Sequence, residues 1–222
     1  MEIRNIIFDL GGVLLNVDYH ATIDSFKQLG VKNIDEFFTQ AHQSRIFDGL
    51  DKGKTSPEEF RDELRKLTGL SLADNEIDRA WNAMLLDLPQ QNLPLLEKVK
   101  DNYRIFLLSN TNAIHFPNFL KYLQEAHGYE SLDLFFEKQY LSHEVGMRKP
   151  DVEIFEHVIH DNNLIPSETL FIDDTRQHVI GARKAGLQAY WLEIDKEVTL
   201  NLFEEGGKLN ESFFKKLENQ SL

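Results

Sequence analysis

Near its start the chain runs Ile3-Arg4-Asn5-Ile6-Ile7-Phe8-Asp9-Leu10-Gly11-Gly12, a short apolar segment followed by two glycines. The part from Ile3 to Phe8 is apolar and rich in β-branched residues, and the glycines mark a tight turn. The stretch therefore predicts a buried strand that ends just before Asp9. In an open parallel sheet, ligands bind outside the carboxyl ends of the strands. Asp9 is therefore the first candidate for a functional side chain.

Strand and helix patterns alternate along the chain after Pro89. Strand-like segments occur at residues 104–108, 139–141, 169–172 and 188–192. Helical segments occur at residues 113–126, with an interruption near Pro117, at 151–162 and at 176–185. This alternation predicts an α/β fold, in which helices cover both faces of a parallel sheet.

A different pattern occupies residues 17–88. Apolar side chains recur there at the three- and four-residue spacing of amphipathic helices, without a convincing strand. The run Ser56-Pro57-Glu58-Glu59 is a good helix start, because it offers a capping hydroxyl, an early proline and acidic side chains near the positive end of the helix dipole. Residues 17–88 are therefore predicted to form a helical insert after the first strand.

The predicted domain organisation follows from these two patterns. Residues 1–16 and 89–200 form the α/β core domain, and residues 17–88 form the helical insert. Residues 201–222 form a C-terminal extension, in which Phe213, Phe214 and Leu217 indicate a packing or partner helix.

Composition excludes several classes of function. The 222 residues carry 24 Lys and Arg against 37 Asp and Glu, a formal net charge of −13, so we expect no nucleic-acid partner. The absence of Cys excludes disulfides and thiolate chemistry. No apolar run approaches the roughly 20 residues that cross a bilayer, and no signal-peptide pattern is present. We therefore expect a cytoplasmic protein that has no membrane partner, and the sequence identifies no protein partner.

Polar and charged side chains follow the predicted strands. They are Asp9, Ser109, Lys149, Asp173 and Asp174. Each alone has a structural explanation, as a turn former, a helix cap or half of a surface ion pair. Together they would place three carboxylates at one edge of the sheet, where mutual repulsion calls for cations. A Mg²⁺ ion bound by oxygen ligands, together with the ammonium of Lys149, would meet that need.

Such a cluster suits phosphoryl transfer. Asp9 could attack phosphorus and form an aspartyl-phosphate, which divides the displacement into two easier steps. Mg²⁺ and Lys149 would neutralise the charge on the phosphoryl oxygens. The hydroxyl of Ser109 could hold the same phosphoryl group.

Four ordered segments resemble the motifs of the haloacid dehalogenase (HAD) superfamily. They are Phe8-Asp9-Leu10-Gly11-Gly12-Val13-Leu14, Leu108-Ser109-Asn110-Thr111-Asn112, Leu141-Ser142 with Gly146-Met147-Arg148-Lys149-Pro150, and Phe171-Ile172-Asp173-Asp174. The resemblance extends to about residue 192, and the insert looks like the small α-helical cap of that superfamily. The second and third segments are similar to the branch that contains α-D-glucose-1-phosphate phosphatase. The resemblance implies a Rossmann-like core.

The resemblance also implies roles for individual residues. The metal ligands would be Asp9, which is also the nucleophile, the backbone carbonyl of Gly11, Asp174 as the main acidic ligand, and Asp173 directly or through water. Ser109 and Lys149 would hold the phosphoryl group with help from Asn110. The implied activity is that of a Mg²⁺-dependent phosphomonoesterase acting on a small phosphorylated metabolite, for which a sugar phosphate is one candidate.

One position departs from the family pattern. Most phosphatases of the superfamily have a second Asp, a general acid and base, where this chain has Gly11. The substitute candidates are Asp18, His20 and His115. Two alternatives remain: a metal-independent dehalogenase-type hydrolase, since those enzymes also lack this Asp, or a non-catalytic phosphate-binding regulatory relative.

Substrate choice is expected to lie mainly in the insert. Tyr19, Arg45 and Phe47 lie in segments that could face the pocket, although core packing is favoured for Phe47. A zinc site at His157 and His160 is disfavoured, because no further ligands occur at metal-binding spacing.

Overall fold

Five parallel strands form one sheet in the order β3-β2-β1-β4-β5. The strands are β1 (Asn5–Phe8), β2 (Arg104–Ser109), β3 (Lys138–Leu141), β4 (Thr169–Asp173) and β5 (Gln188–Trp191). The structure is a computed structural model that describes residues 2–34, 36–38 and 45–220. The parallel sheet confirms the predicted α/β fold.

Helices connect the strands and fill the insert. The insert contains α1 (Tyr19–Gln28), α2 (Ile46–Asp51), α3 (Pro57–Thr68) and α4 (Asp74–Asn82). The sheet is accompanied by α5 (Asn92–Lys100), α6 (His115–His127), α7 (Ser142–Val145), α8 (Val152–Asp161) and α9 (Arg176–Lys184), and α10 (Glu211–Asn219) follows. Short 3₁₀ turns occur at Pro166–Glu168 and Thr199–Leu202. None of the helices described combines the length and the apolar character that crossing a membrane requires.

Both faces of the sheet are buried. Successive side chains of a strand point to opposite faces, so Phe8 packs in one apolar cluster with α5, α6 and α10, while Ile7 packs in another with α8 and α9. The central strand β1 is apolar at each position except Asn5, as expected for a strand that is covered on both sides.

The insert has its own apolar core. Phe26, Phe60, Leu64 and Ile77 are fully buried in it. The predicted start of α3 is confirmed, because the hydroxyl of Ser56 accepts from the amide of Glu59 while the Glu59 carboxylate accepts from the amide of Ser56. This capping box satisfies two amides that the helix leaves unpaired.

Two details differ from the sequence interpretation or lie beyond it. The predicted interruption near Pro117 is wrong, because α6 begins at His115 and its proline falls in the first turn, where no helical hydrogen bond is lost. Residues 35 and 39–44 of the predicted helical insert lie outside the described residues.

The C-terminal extension packs on the core. Phe213 and Leu217 of α10 are buried in the same cluster as Phe8. The side-chain amide of Gln220 accepts from the backbone N–H of Trp191 and donates to its carbonyl, both at 2.8 Å. These two bonds satisfy backbone groups of β5, the last strand of the sheet, which would otherwise have no partner strand on that side.

Strand register aligns the ends of the central strands. Phe8 lies opposite Leu107 on β2 and Ile172 on β4. The positions that follow these residues on the three strands therefore meet at one edge of the sheet, which is where the candidate site lies.

Candidate active site

Asp9, Ser109 and Asp173 lie at the carboxyl ends of three neighbouring strands. Asp9 directly follows β1, while Ser109 and Asp173 are the last residues of β2 and β4. All three side chains are buried. The predicted convergence of side chains from separate motifs therefore holds for these three positions.

Lys149 joins two of these carboxylates. Its Nζ lies 2.8 Å from Oδ1 of Asp9 and 2.7 Å from Oδ2 of Asp173, and the side chain is fully buried. Removing an ammonium from water is costly unless opposite charges and hydrogen bonds surround it, and here two carboxylates do so. The lysine is thereby fixed beside the Asp9 carboxylate.

Asn110 fixes the segment that carries Lys149. Its side-chain Nδ2 donates to the carbonyl of Lys149, and its Oδ1 accepts from the Lys149 amide, both at 2.9 Å. Ser109 and Asn110 also line the cavity above the strands. The amide of Asn110 is thus used to position the lysine, whereas its predicted contact with a phosphoryl group stays a prediction.

The buried charges shift one another's pKa values. Burial raises the pKa of Asp9 well above its ordinary value, against the attraction of Lys149 and with added repulsion from Asp173 and Asp174. Burial also raises the pKa of Asp173, but Lys149 and His178 more than reverse this and hold it below its ordinary value. Burial and then the charge of Asp173 raise the pKa of Asp174 to about 6.

Asp174 sits against the turn after β1. Gly12 has a φ of +73°, and a Cβ built on it would lie 2.2 Å from Oδ2 of Asp174. Only glycine accepts both this backbone conformation and this close approach. The second glycine of the N-terminal motif therefore makes room for the carboxylate of the fourth motif.

His178 is a site residue that the sequence interpretation missed. Its Nδ1 lies 3.0 Å from each carboxylate oxygen of Asp173. One ligand atom each from Asp9, Asp173 and His178 lie within 4.8 Å of one another. The available signal was its position in the first turn of α9, five residues after Asp173.

The donor set fits a hard divalent cation. Three carboxylates from Asp9, Asp173 and Asp174 face one ammonium, so these four groups carry an excess of two negative charges when all are ionised. Burial is the main cause of the raised pKa values of Asp9 and Asp174, and repulsion from the neighbouring carboxylates adds to it. Carboxylate oxygens are the ligands that Mg²⁺ prefers.

The candidates for a substitute acid fare differently in the structure. Asp18 caps α1 by accepting from the amide of His20. The side chains of Asp18 and His20 are exposed, and neither residue is among the described residues that line the cavity. His115 does line the cavity, with its Nδ1 2.7 Å from Oδ1 of Asn82. Burial lowers the pKa of His115 to about 3, so it is neutral near pH 7 and is a poor proton donor.

A second charged cluster connects the insert to the core. Asp51 of α2 lies 3.3 Å from Arg148 and accepts from Nδ2 of Asn112 at 3.2 Å. Burial raises the pKa of Asp51 to about 6, against the opposing charge of Arg148. Asp51 and Arg148 both line the cavity. Sequence reasoning missed this pair because 97 positions separate its members along the chain.

The remaining predicted residues can also be placed. Tyr19 and Phe47 line the cavity, and Phe47 additionally stacks on Trp81, as its expected core packing requires. Arg45 precedes α2 and is exposed. In the part of the chain that the structure describes, His157 and His160 join no group of three metal-ligating side chains. The interpretation against zinc stays a prediction.

Comparison with known proteins assigns the family. The model of the haloacid dehalogenase-like hydrolases matches residues 3–186, and the chain belongs to that family. This confirms the resemblance of the four motifs. This chain is similar to a D-ribitol-5-phosphate phosphatase of Bacteroides thetaiotaomicron. The two are 34% identical over 188 residues, which cover 85% of this chain and 91% of the relative.

Two further relatives extend the comparison. A sesquiterpene phosphatase of Aspergillus oryzae is 29% identical, and the match covers 82% of this chain and 85% of that protein. A HAD family enzyme of Bacteroides thetaiotaomicron, solved in complex with magnesium and inorganic phosphate, superposes with a TM-score of 0.82 at 40% identity, covering 91% of this chain and all of that one. The branch of α-D-glucose-1-phosphate phosphatase stays a prediction.

Proposed function

We propose that this hydrolase is a Mg²⁺-dependent phosphomonoesterase that acts on a small phosphorylated metabolite through an aspartyl-phosphate on Asp9. The observation that carries the proposal is the contact of Lys149 with both Asp9 and Asp173, with Asp174 beside them, at the strand ends below the cavity. The relatives named as phosphatases and the relative solved with magnesium and phosphate support it.

Asp9 is the proposed nucleophile. Its Oδ1 accepts from Lys149 and from the amide of Leu10, which orients the carboxylate, so Oδ2 is the oxygen proposed to attack phosphorus. A bond forms between Oδ2 and phosphorus while the ester P–O bond breaks, and the leaving alcohol takes up a proton. Water then attacks the aspartyl-phosphate, which releases inorganic phosphate and restores the carboxylate.

Mg²⁺ would be held by Asp9, by Asp174 and Asp173, and by the backbone carbonyl of Gly11. When bound, it neutralises charge on the phosphoryl oxygens as the transition state forms. The ammonium of Lys149 contributes to the same stabilisation from a fixed position, so it needs no reorganisation during the reaction.

The acidic excess favours this proposal over the dehalogenase alternative. A metal-independent dehalogenase has no use for a second and third carboxylate beside its nucleophile, because they raise the pKa of Asp9 and so reduce the fraction that can attack. Protonation of the leaving alcohol falls to a group other than residue 11, since glycine carries no acid.

The names of the relatives do not select one substrate. A ribitol phosphate and a sesquiterpene phosphate differ widely in polarity. The ribitol-5-phosphate phosphatase supports the prediction of a sugar phosphate or related polyol phosphate, whereas the Aspergillus relative supports an apolar ester. The expectations of a cytoplasmic location and of no nucleic-acid partner stay predictions.

Phosphate release in the presence and absence of Mg²⁺ tests the proposed function. With p-nitrophenyl phosphate and a panel of alkyl phosphates, the wild-type protein should release phosphate with Mg²⁺ and stop when EDTA is added, and re-addition of Mg²⁺ should restore the rate. A rate that EDTA leaves unchanged would exclude the metal-dependent reaction. The absence of any release, from a protein shown to be folded and Mg²⁺-bound, would favour the regulatory alternative.

A further inference from the structure

The cavity above the strand ends has two chemically different parts. Its volume is about 520 Å³, which is in the range of small-molecule sites. One part is formed by polar residues beside the catalytic carboxylates, including Ser109, Asn110, Thr175 and His178. The other part is formed largely by the insert and is apolar.

Aromatic rings build much of the apolar part. The ring of Phe47 stacks on Trp81 with centroids 4.9 Å apart and planes at 7°, and Trp81 stacks on His115 at 5.1 Å and 10°. The wall is completed by aliphatic side chains, namely Leu15, Val17, Ile23, Met84 and Leu85. Flat rings and branched aliphatic groups favour a ligand with an apolar surface.

Several polar groups in this part are already bonded within the protein, whereas the buried Nε1 of Trp81 has no hydrogen-bond partner among the described residues. The hydroxyl of Thr22 donates to the carbonyl of Trp81 and accepts from the amide of Met84. The Nδ1 of His115 is paired with Asn82, and Asp51 is paired as described above. A polyol placed here would lose water from all of its hydroxyls, and the Thr22 hydroxyl and the Nδ1 of His115 are already paired, so that within the described part of the chain Nε1 of Trp81 is the unpaired donor which the aromatic stack itself holds. Leaving most hydroxyls of a polyol without partners is unfavourable.

We propose that the alcohol released by this enzyme carries an apolar carbon skeleton that packs between the Phe47–Trp81 stack and Met84, and that it is not a polyol. This proposal rests on the phosphatase function proposed above and names its substrate class: phosphomonoesters of alcohols with an aromatic or branched aliphatic body. The phosphate end remains at Ser109 and Lys149, so the scissile bond lies where the polar and apolar parts of the cavity meet.

Three phosphate esters distinguish the substrate classes. Each has a primary alcohol as its leaving group, so the esters differ mainly in the size and polarity of the carbon skeleton. They are phenethyl phosphate, ethyl phosphate and ribitol 5-phosphate. Phenethyl phosphate is expected to exceed the other two in kcat/KM by about ten- to a hundredfold, as burial of one ring predicts. An equal or higher kcat/KM for ribitol 5-phosphate would overturn the proposal while leaving the phosphatase function intact. Failure of all three esters and of p-nitrophenyl phosphate would overturn the phosphatase function itself.

Substitutions in the apolar part of the cavity test whether the carbon skeleton of the substrate binds there. Met84 is half-buried, and its backbone is held by Thr22 and Asp18, so Met84→Gln should fold. It is expected to lower kcat/KM for phenethyl phosphate about tenfold, with little change for ethyl phosphate. Met84→Leu keeps an apolar side chain at this position and should lower kcat/KM for phenethyl phosphate less than Met84→Gln does. Leu86→Gln is the matched control, because Leu86 is 44% exposed and is not among the described residues that line the cavity. Equal losses in Met84→Gln and Leu86→Gln would contradict the assignment.

Discussion

At the level of single residues, Lys149 connects the carboxylates of Asp9 and Asp173. It is fully buried between two carboxylates, so its removal leaves negative charges close together in a region of low dielectric. A buried charge that loses its partner is costly, whereas an exposed ion pair contributes little.

The variant Lys149→Met tests this role. We expect it to abolish phosphate release and, without Mg²⁺, to lower the free energy of unfolding near pH 7 by about 3–5 kcal/mol. Mg²⁺ should recover part of the loss, because it restores positive charge among the carboxylates. Denaturant unfolding with and without Mg²⁺ measures both effects. The control Lys196→Met removes an exposed ion pair with Glu193 and should change the free energy of unfolding by less than about 1 kcal/mol. Equal changes in the free energy of unfolding of the two variants would contradict the account.

The raised pKa values at the site predict how Mg²⁺ binding depends on pH. Asp174 has a pKa of about 6, and that of Asp9 is also raised, so both hold protons over a pH range in which ordinary carboxylates are ionised. Mg²⁺ binds the ionised form and must displace these protons. Its affinity should therefore rise from pH 5 to pH 7.5. The rise is up to roughly tenfold per pH unit for each proton displaced, and the contribution of Asp174 should level off above its pKa of about 6.

Calorimetric titration with MgCl₂ at several pH values measures this dependence. The variant Asp174→Asn should bind Mg²⁺ more weakly and show a smaller dependence on pH, because one titrating ligand is removed. A Mg²⁺ affinity that is equal at pH 5 and pH 7.5 would mean that the carboxylates are not the ligands.

Among secondary-structure elements, α10 shows what a hydrophobic stripe does and does not specify. The spacing of Phe213, Phe214 and Leu217 predicted a helix, and α10 contains all three. Spacing could not identify the partner, since the contact with β1, β5 and the 3₁₀ turn at Thr199–Leu202 depends on the tertiary fold. Pro117 shows the converse, because the effect of a proline depends on which turn of the helix it occupies.

The stability contributed by α10 can be measured with two neighbouring substitutions. Phe213 is fully buried and contacts Tyr190 edge to face, with ring centroids 5.1 Å apart. Phe213→Ala should lower the free energy of unfolding by about 3–5 kcal/mol, as expected for a buried ring. Phe214→Ala is the matched control, because Phe214 is only partly buried and should cost clearly less. Urea unfolding of both variants gives the comparison, and equal losses would show that the extension does not pack as described.

For the whole molecule, the sequence predicted the parallel sheet and the edge at which the site lies. The alternation of elements and the apolar strands indicated the fold. Motifs at the strand ends indicated Asp9, Ser109 and Asp173, and the motif that follows the third strand indicated Lys149. The structure brings these side chains together because strand ends in a parallel sheet meet by topology alone, while their roles in binding and catalysis stay predictions. The family resemblance then added chemical roles that spacing does not contain.

Other features required the three-dimensional structure. The pair of Asp51 and Arg148 connects distant segments, and the aromatic stack of Phe47, Trp81 and His115 forms only when the insert packs on the core. The role of Gly12 depends on the approach of Asp174, which local sequence does not show. Long-range packing therefore determines the shape of the cavity, while local motifs determine its chemistry.

Covalent labelling of Asp9 tests the central claim most directly. The wild-type protein is mixed with Mg²⁺ and an alkyl phosphate that it hydrolyses, and the reaction is quenched in acid during the steady state. The protein is then digested and examined by mass spectrometry. The account predicts a phosphoryl group on the peptide that contains Asp9, absent when EDTA is included and absent from Asp9→Asn. A phosphoryl group on any other residue, or rapid turnover by Asp9→Asn, would contradict it.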